Sequence, residues 1–93
     1  LERGTLNASQ AEYLARFEKK LPVGAQDTAI YGLPSGGRAF VADVPGRVPG
    51  SKAVYEKQVN LKGETVQYTK TTIDPAGNIV HVKDKIHGTE VRP

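Results

Sequence analysis

The chain of 93 residues contains no cysteine, which excludes a disulfide scaffold and any thiolate chemistry. No apolar run approaches the length of a membrane span, and the first residues lack the segments of a signal peptide, so neither is expected. Internal repeats and low-complexity tracts are also absent. Two histidines without a cysteine do not complete a zinc site, so no cofactor or metal is expected.

The composition that remains is that of a small globular domain. Apolar residues make up 38% of the chain and charged residues 25%, which predicts one domain over residues 1–93 with one modest core and a loose segment 1–7. The net charge of +3 comes from 13 basic and 10 acidic residues. This mild excess suits a polyanionic partner without requiring one.

The first half of the chain predicts one helix followed by a strand. Ser9 and Glu12 have the spacing of a capping box, with Ser9 as the N-cap. The apolar residues behind them share one helical face: Ala11, Leu14, Phe17 and Leu21. Pro22 ends this helix. Segment 26–31 fits either a second short helix or a strand.

The second half predicts a meander of strands. Residues 38–44 form the first strand, and segments 53–61, 65–73 and 78–86 follow, separated by turns at 62–63 and 74–77. A helix before an antiparallel sheet is the α+β class. The sequence therefore predicts an N-terminal helix, or two, packed on a four-stranded antiparallel sheet.

Turn chemistry suggests which side chains share a face of this sheet. A type I turn at 74–77 with a bulge at Gly77 places Thr71 opposite His81. A two-residue turn at 62–63 places Glu56 opposite Thr69, and a slip by one residue would bury this carboxylate among valines. The predicted wet face therefore carries Glu56, Gln58, Thr69, Thr71, His81, Lys83 and Lys85. Lys57 and Lys70 then fall on the dry face and must lie at its rim.

A carboxylate, an imidazole and several cations on one face are the parts needed for metal-independent cleavage of RNA. We predict Glu56 as the general base, His81 or His87 as the acid, and Lys83 as a stabiliser of charge on the phosphate. The predicted substrate contacts are Lys85, Thr69, Thr71, Arg38 and Lys52. Each residue also has an ordinary reading: a solvated lysine, a solvent-facing histidine, or a surface carboxylate paired with a lysine.

Three blocks of the chain resemble the barnase-like microbial ribonucleases. Residues 11–22 resemble the first helix of that family and its exit, and residues 41–46 its middle stretch. Residues 46–60 resemble the turn and strand that carry the family's catalytic glutamate, which implies that Glu56 is the base and that the fold is barnase-like. The chain departs from the family in having no arginine between Lys52 and Glu90 and too short a loop at 47–51 for guanine recognition.

The chain is also similar to the C-terminal toxin modules of bacterial competition systems, in the broad grouping of barnase, EndoU, colicin nucleases and RelE-type toxins. That likeness implies a monomeric tRNA endoribonuclease that leaves a 2′,3′-cyclic phosphate and is neutralised by a cognate acidic immunity protein. It also implies export as part of a larger bacterial protein and action in the cytoplasm of the target cell. The alternative is a non-catalytic sheet module whose basic face binds RNA or an acidic protein.

Overall fold

Six antiparallel strands follow a single α-helix along the chain. The computed structural model describes residues 1–92, without the side chain of Arg92. The elements are a 3-10 turn Arg3–Thr5, α1 Ala8–Lys20, β1 Ala29–Gly32, β2 Arg38–Pro45, β3 Lys52–Val59, β4 Thr65–Ile73, β5 Ile79–Asp84 and β6 Thr89–Arg92. Each strand pairs with the next, in the order β1-β2-β3-β4-β5-β6.

The prediction of a four-stranded sheet is therefore wrong, although the α+β class remains compatible with the structure. The two additional strands, β1 and β6, form the edges of the sheet and contain four residues each. Such short segments give no clear alternation of apolar and polar residues. Strand β5 ends at Asp84, where a turn leads into β6. The Asp84 carboxylate closes this turn by accepting hydrogen bonds from the backbone N–H groups of Ile86 (2.9 Å) and His87 (3.2 Å).

Helix α1 begins earlier than the sequence predicts. Asn7, rather than Ser9, is the N-cap, and it forms a capping box with Gln10. The Asn7 Oδ1 accepts from the Gln10 backbone N–H at 2.8 Å, and the Asn7 side-chain amide donates to the carbonyl of Leu61 at 2.7 Å. The second bond ties the cap to the turn between β3 and β4, a tertiary contact that strengthens this choice of cap.

The residues before the helix also contact the rest of the fold. The amino group of Leu1 donates to the carbonyl of Ile30 at 2.6 Å. Arg3 forms two hydrogen bonds to the Glu18 carboxylate, at 2.8 and 2.6 Å, and this pairing lowers the pKa of Glu18. Residues 1–7, for which a loose segment is predicted, therefore hold contacts to β1 and to α1.

The core lies between α1 and one half of the sheet. Phe17 packs against Phe40, with ring centroids 6.2 Å apart, and against the edge of Tyr68 at 6.0 Å. The buried apolar residues of this cluster are Leu14, Phe17, Ile30, Phe40, Ala42, Val44, Tyr55 and Val59. Five of the six sheet residues among them come from β2 and β3, so the dry part of the sheet is centred on these strands.

The register between β3 and β4 agrees with the prediction at Glu56, the predicted general base. Glu56 pairs with Thr69, as predicted, but the turn differs from the predicted two-residue loop. The Asn60 N–H donates to the carbonyl of Glu64 at 2.9 Å across a three-residue loop, and a β-bulge next to Val59 restores the predicted register. The turn at 74–77 forms as expected, since the Asp74 N–H donates to the carbonyl of Asn78 at 2.9 Å and Gly77 has φ +90°.

The register between β4 and β5 differs from the prediction by one residue. Ile73 pairs with Ile79, but Thr72 pairs with His81, so Val80 is the extra residue of a β-bulge. Thr71 therefore lies opposite Val82 rather than His81. Because side chains alternate between faces, this bulge moves His81 and Lys83 to the other side of the sheet.

A hydrophobic pattern fixes a strand register only where one face is buried. Helix α1 packs chiefly on β2 and β3, so little covers β5. Ile79 and Val80 each remain 43% exposed. The valines of β5 therefore gain little burial in the predicted register, and the apolar-polar alternation on which that prediction rests carries little weight here.

The glycine at the β3–β4 turn offers a test of the packing against α1. Gly63 has φ +83°, and a Cβ there would lie 2.8–2.9 Å from Cβ, C and O of Ser9 in the first turn of the helix. Gly77 has a similar φ, and a Cβ there would meet nothing within 4 Å.

We expect Gly77→Ala to lower the free energy of unfolding by about 1 kcal/mol, the cost of a left-handed backbone for an L-residue. Gly63→Ala is expected to lower it by a further 1 kcal/mol or more, on the order of an overpacking penalty. Urea denaturation of the two variants measures the difference. Equal losses would show that the turn does not press against the helix.

Candidate functional site

The side of the sheet that carries α1 also carries four lysines of the second half of the chain: Lys57, Lys70, Lys83 and Lys85. Strand pairing places Lys70 opposite Lys83, and Thr72 opposite His81, on this side. We define the basic surface as the part of this side that the helix leaves uncovered, with Tyr55 at its inner boundary. Its residues are Tyr55, Lys70, Thr72, His81, Lys83 and Lys85.

The lysines of the basic surface lie close to one another. The ammonium groups of Lys70 and Lys85 lie 5.7 and 5.9 Å from the centroid of the Tyr55 ring, within range of cation–π attraction. The backbone N–H of Lys85 donates to the carbonyl of Tyr68 at 2.8 Å, which extends the β4–β5 pairing by one residue. Lys70 and Lys83 are directly opposed like charges, an unfavourable arrangement that a bound anion would relieve.

A groove of about 500 Å³ adjoins this surface beyond the C-terminal end of α1. Tyr55, Lys70 and Thr72 form the wall it shares with the basic surface. Its other lining residues are Pro22, Val44, Pro45, Gly46, Arg47, Val48, Ser51, Lys52 and Ala53. The groove combines apolar walls with three cations, so it can accept a ligand that has an anionic group and an apolar body.

His81 has a carboxylate neighbour on the basic surface. Its Nε2 lies 3.4 Å from Oε1 of Glu90, which pairs with Lys83 from β6. This distance allows an ion pair between the two side chains. The imidazole is 32% exposed and therefore accessible to a ligand.

Glu56 lies on the opposite side of the sheet, which contradicts the predicted arrangement of the site. Its neighbours across the strands are Val41 and Thr69, and the Gln58 side-chain amide donates to its carboxylate at 2.6 Å. We call this side the open face; it carries Val41, Val54, Glu56, Gln58, Thr69, Thr71, Val82 and Asp84. The sheet itself separates Glu56 from His81, so the two cannot act on one phosphate.

His87 lies in the turn between β5 and β6 and contacts Asp84. Its Nδ1 is 2.8 Å from the Asp84 Oδ2, and this hydrogen bond is the main reason why the pKa of Asp84 is lowered. Asp84 belongs to the open face, two strands from Glu56 in the row through Thr69, or about 10 Å away. The open face thus holds the second histidine candidate together with Glu56.

Electrostatics separates the two sides. The open face has two carboxylates, Glu56 and Asp84, near the centre of the sheet, and a third, Asp43, is paired with Lys52 at 3.1 Å. A phosphate approaching that face meets negative charge, whereas the basic surface presents Lys70, Lys83 and Lys85. The basic surface is therefore the better site for a phosphodiester.

Of the other residues predicted to contact substrate, one lies near the basic surface and three do not. Thr69 and Thr71 lie on the open face, away from the lysines. Arg38 donates to the carbonyls of Gly36 (3.0 Å) and Gly37 (2.8 Å) and so holds the loop before β2. Lys52 lines the groove beside the basic surface.

Four residues on the helix side were not predicted as site residues: Tyr55, Lys57, Lys70 and Thr72. The sequence does carry a signal for them, because Tyr-x-Lys occurs at 55–57 and again at 68–70, and His-x-Lys-x-Lys follows at 81–85. These residues alternate with period two, so each set shares one side of its strand. Two lysines on a face assigned to the core are the feature that points to a site there.

No protein-family model matches the chain. No curated protein and no solved structure matches it either. Among residues 1–92, no helix is long and apolar enough to span a bilayer. Within the same residues, no three histidine or carboxylate side chains are grouped as ligands for a metal ion.

Lys57 gives a pH-dependent prediction for stability. Burial, and then the nearby charges of Lys20 and Arg16, lower the pKa of its amine. Between this lowered pKa and the unfolded value near 10.4, the unfolded chain binds more protons, so the stability of the native protein rises with pH in that window.

We expect Lys57→Met to raise the free energy of unfolding at pH 7, by on the order of 1 kcal/mol, because it removes a buried charge. The advantage should shrink as the pH approaches 10.4. Urea denaturation at pH 7 and 10 measures this, and Lys62→Met, at an exposed turn residue, serves as the control. A loss of stability at pH 7 would contradict the assignment of Lys57 as an unfavourable buried cation.

Proposed function

We propose that this chain is a metal-independent endoribonuclease and that RNA binds across its basic surface. The observation that supports this most is the pairing of β4 with β5, which brings together Thr72 with His81 and Lys70 with Lys83 on one accessible side. An imidazole beside two ammonium groups and a hydroxyl is suited to phosphodiester cleavage by the ribose 2′-hydroxyl.

In the proposed reaction, Nδ1 of His81 takes the proton from the 2′-hydroxyl as its oxygen forms a bond to phosphorus. The bond from phosphorus to the 5′-oxygen breaks, and the ammonium of Lys83 gives that oxygen a proton. Lys70 and Lys85 stabilise the charge on the non-bridging oxygens, and the Thr72 hydroxyl donates to one of them. The products are a 2′,3′-cyclic phosphate and a free 5′-hydroxyl.

Glu90 has a positioning role in this scheme. Its carboxylate, 3.4 Å from Nε2, orients the imidazole and leaves Nδ1 free. It also stabilises the imidazolium that forms when the proton is taken. The role that the barnase resemblance gives to Glu56 therefore passes to His81, with its carboxylate partner on β6.

The resemblance to bacterial competition toxins supports the finer parts of the proposal. It makes tRNA the expected substrate and an exported bacterial protein the expected parent, with the cytoplasm of the target cell as the place of action. A toxin of this kind needs a cognate immunity protein in its producer. The basic surface is the region such a partner must cover to exclude RNA.

The catalytic assignment is tested by three matched variants that separate the two sides of the sheet. In EDTA, His81→Gln is expected to lower cleavage of tRNA by about two or more decades, because proton transfer by a positioned group contributes on that order. Glu56→Gln and His87→Gln are expected to stay within about threefold of the native rate. Gel analysis of the fragments, with identification of the cyclic phosphate end, measures the effect.

The reverse pattern, with Glu56→Gln inactive and His81→Gln active, would place the reaction on the open face. Intact RNA with the native protein, together with measurable RNA binding, would favour the non-catalytic binding module. A requirement for magnesium would replace the proposed mechanism altogether.

The partner is tested through the two lysines at the outer end of the basic surface. Lys83→Glu together with Lys85→Glu is expected to weaken both RNA cleavage and binding of an acidic immunity protein, because one surface serves both. The association rate of the native pair should fall as salt rises. Surface plasmon resonance and the cleavage assay measure the two in parallel, and unchanged immunity binding would mean that the partner docks elsewhere.

A further inference from the structure

The helix side of the sheet contains one buried cation that the proposed reaction does not use. Lys57, on β3, is only 8% exposed. Its ammonium lies 5.0 Å from the centroid of the Tyr13 ring on α1 and 5.6 Å from that of the Tyr68 ring on β4. Within residues 1–92 it has neither a hydrogen bond nor an ion pair.

The charges nearest to Lys57 have the same sign. Arg16 lies over the Tyr13 ring as well, with its guanidinium carbon 5.0 Å from the centroid. Lys20 follows one helical turn after Arg16, so the two form a like-charge i,i+4 pair. The carboxylate of Glu12 contacts Arg16 at 2.9 Å, but on an exposed part of the helix.

This arrangement is unfavourable for the free protein. Burial of most of the Lys57 side chain removes much of the solvation of its ammonium, and two aromatic faces replace that solvation only in part. Burial and the charges of Lys20 and Arg16 accordingly lower the pKa of Lys57. A methionine at this position would fill the same space without a charge. The group that the cluster lacks is an anion.

We propose that Lys57, Arg16 and Lys20 form a second phosphate-binding site, which holds a phosphate of the RNA strand other than the one that is cleaved. The site consists of the partly buried ammonium of Lys57 and two exposed cations of the helix, with the rings of Tyr13 and Tyr68 as its walls. The phosphate chemistry follows from the cluster itself, whereas its origin in RNA rests on the proposed function.

The position of the site allows one RNA strand to contact both the Lys57 cluster and the basic surface. Lys57 and Lys83 are separated by two strands and by two residues along the strand direction, or about 12 Å. Tyr68 and Lys70, on β4, lie between them on the same side. A row of cations can bind successive phosphates of one nucleic-acid strand. The substrate is therefore a polynucleotide of more than two nucleotides.

The first experiment uses the native protein and does not depend on catalysis. The Lys57 side-chain signal is titrated by NMR, alone, with inorganic phosphate, and with a 2′-deoxy tetranucleotide, which cannot be cleaved through a 2′-hydroxyl. An anion beside the ammonium favours its charged form, so both probes should raise the pKa of Lys57. An unchanged titration with both probes would overturn the site.

The second experiment compares variants. Lys57→Met is expected to weaken binding of the 2′-deoxy tetranucleotide about tenfold, the size of one charge-assisted hydrogen bond lost. Lys62→Met, which removes an exposed lysine from the β3–β4 turn, should change it less than twofold. Equal affinities of Lys57→Met and the native protein would overturn the proposal.

The outcomes distinguish this inference from the proposed function. Binding of the tetranucleotide at Lys57 without any cleavage of RNA would leave the phosphate site standing and remove the ribonuclease. Cleavage of RNA with no response at Lys57 would support the ribonuclease and remove the phosphate site. A response to inorganic phosphate, but not to the tetranucleotide, would overturn the assignment of this site to RNA.

Discussion

The packing of one helix on only part of a wide sheet is the constraint on which the rest of this structure depends. Phe17 reaches Phe40 and Tyr68, and the buried cluster is centred on β2 and β3. Helix α1 has 13 residues and cannot cover six strands. The same side of the sheet is therefore dry at β2 and β3 and wet at β5 and β6. The candidate site lies where these two regions meet.

This boundary explains the unusual chemistry of the residues next to it. Tyr55 belongs to the core through its ring and to the basic surface through Lys70 and Lys85, while Tyr68 contacts both Phe17 and the ammonium of Lys57. A tyrosine can serve both because its ring is apolar and its π face attracts cations. Lys57 lies on the dry side of the boundary, and its burial is unfavourable unless an anion reaches it. Features that reduce stability are thus concentrated at the candidate site, as is usual for sites of binding and catalysis.

A single extra residue decides which side chains can cooperate. Without the bulge at Val80, His81 and Lys83 would join Glu56 on the open face, in the arrangement that the predicted register implies. With the bulge, His81 joins Thr72 and Lys83 joins Lys70. The bulge is possible because the valines of β5 have no helix above them, so neither register gains a decisive amount of buried area. The proposed role of His81 depends on this local feature more than on any motif.

The sequence by itself determined the α+β class, the helix with its apolar face, the four central strands and the positions of both hairpin turns. These depend on local chemistry: helical periodicity, strand alternation, and the turn preferences of glycine, asparagine and aspartate. It also predicted that Glu56 lies opposite Thr69, although the turn that forms has three residues and a β-bulge at Val66 compensates for the difference. Alternation along the strand also predicted that His81, Lys83 and Lys85 share one side of the sheet.

The tertiary structure alone decided the edge strands, the bulge, and the side of the sheet on which each candidate lies. Two strands of four residues are too short to show a period, and their stability comes from the neighbouring strand. The face of a polar strand is set by the strand beside it and by what covers it, which no local pattern records. Glu56 was therefore predicted in the right register and assigned to the wrong partners, because its own hairpin is local and its relation to His81 is not.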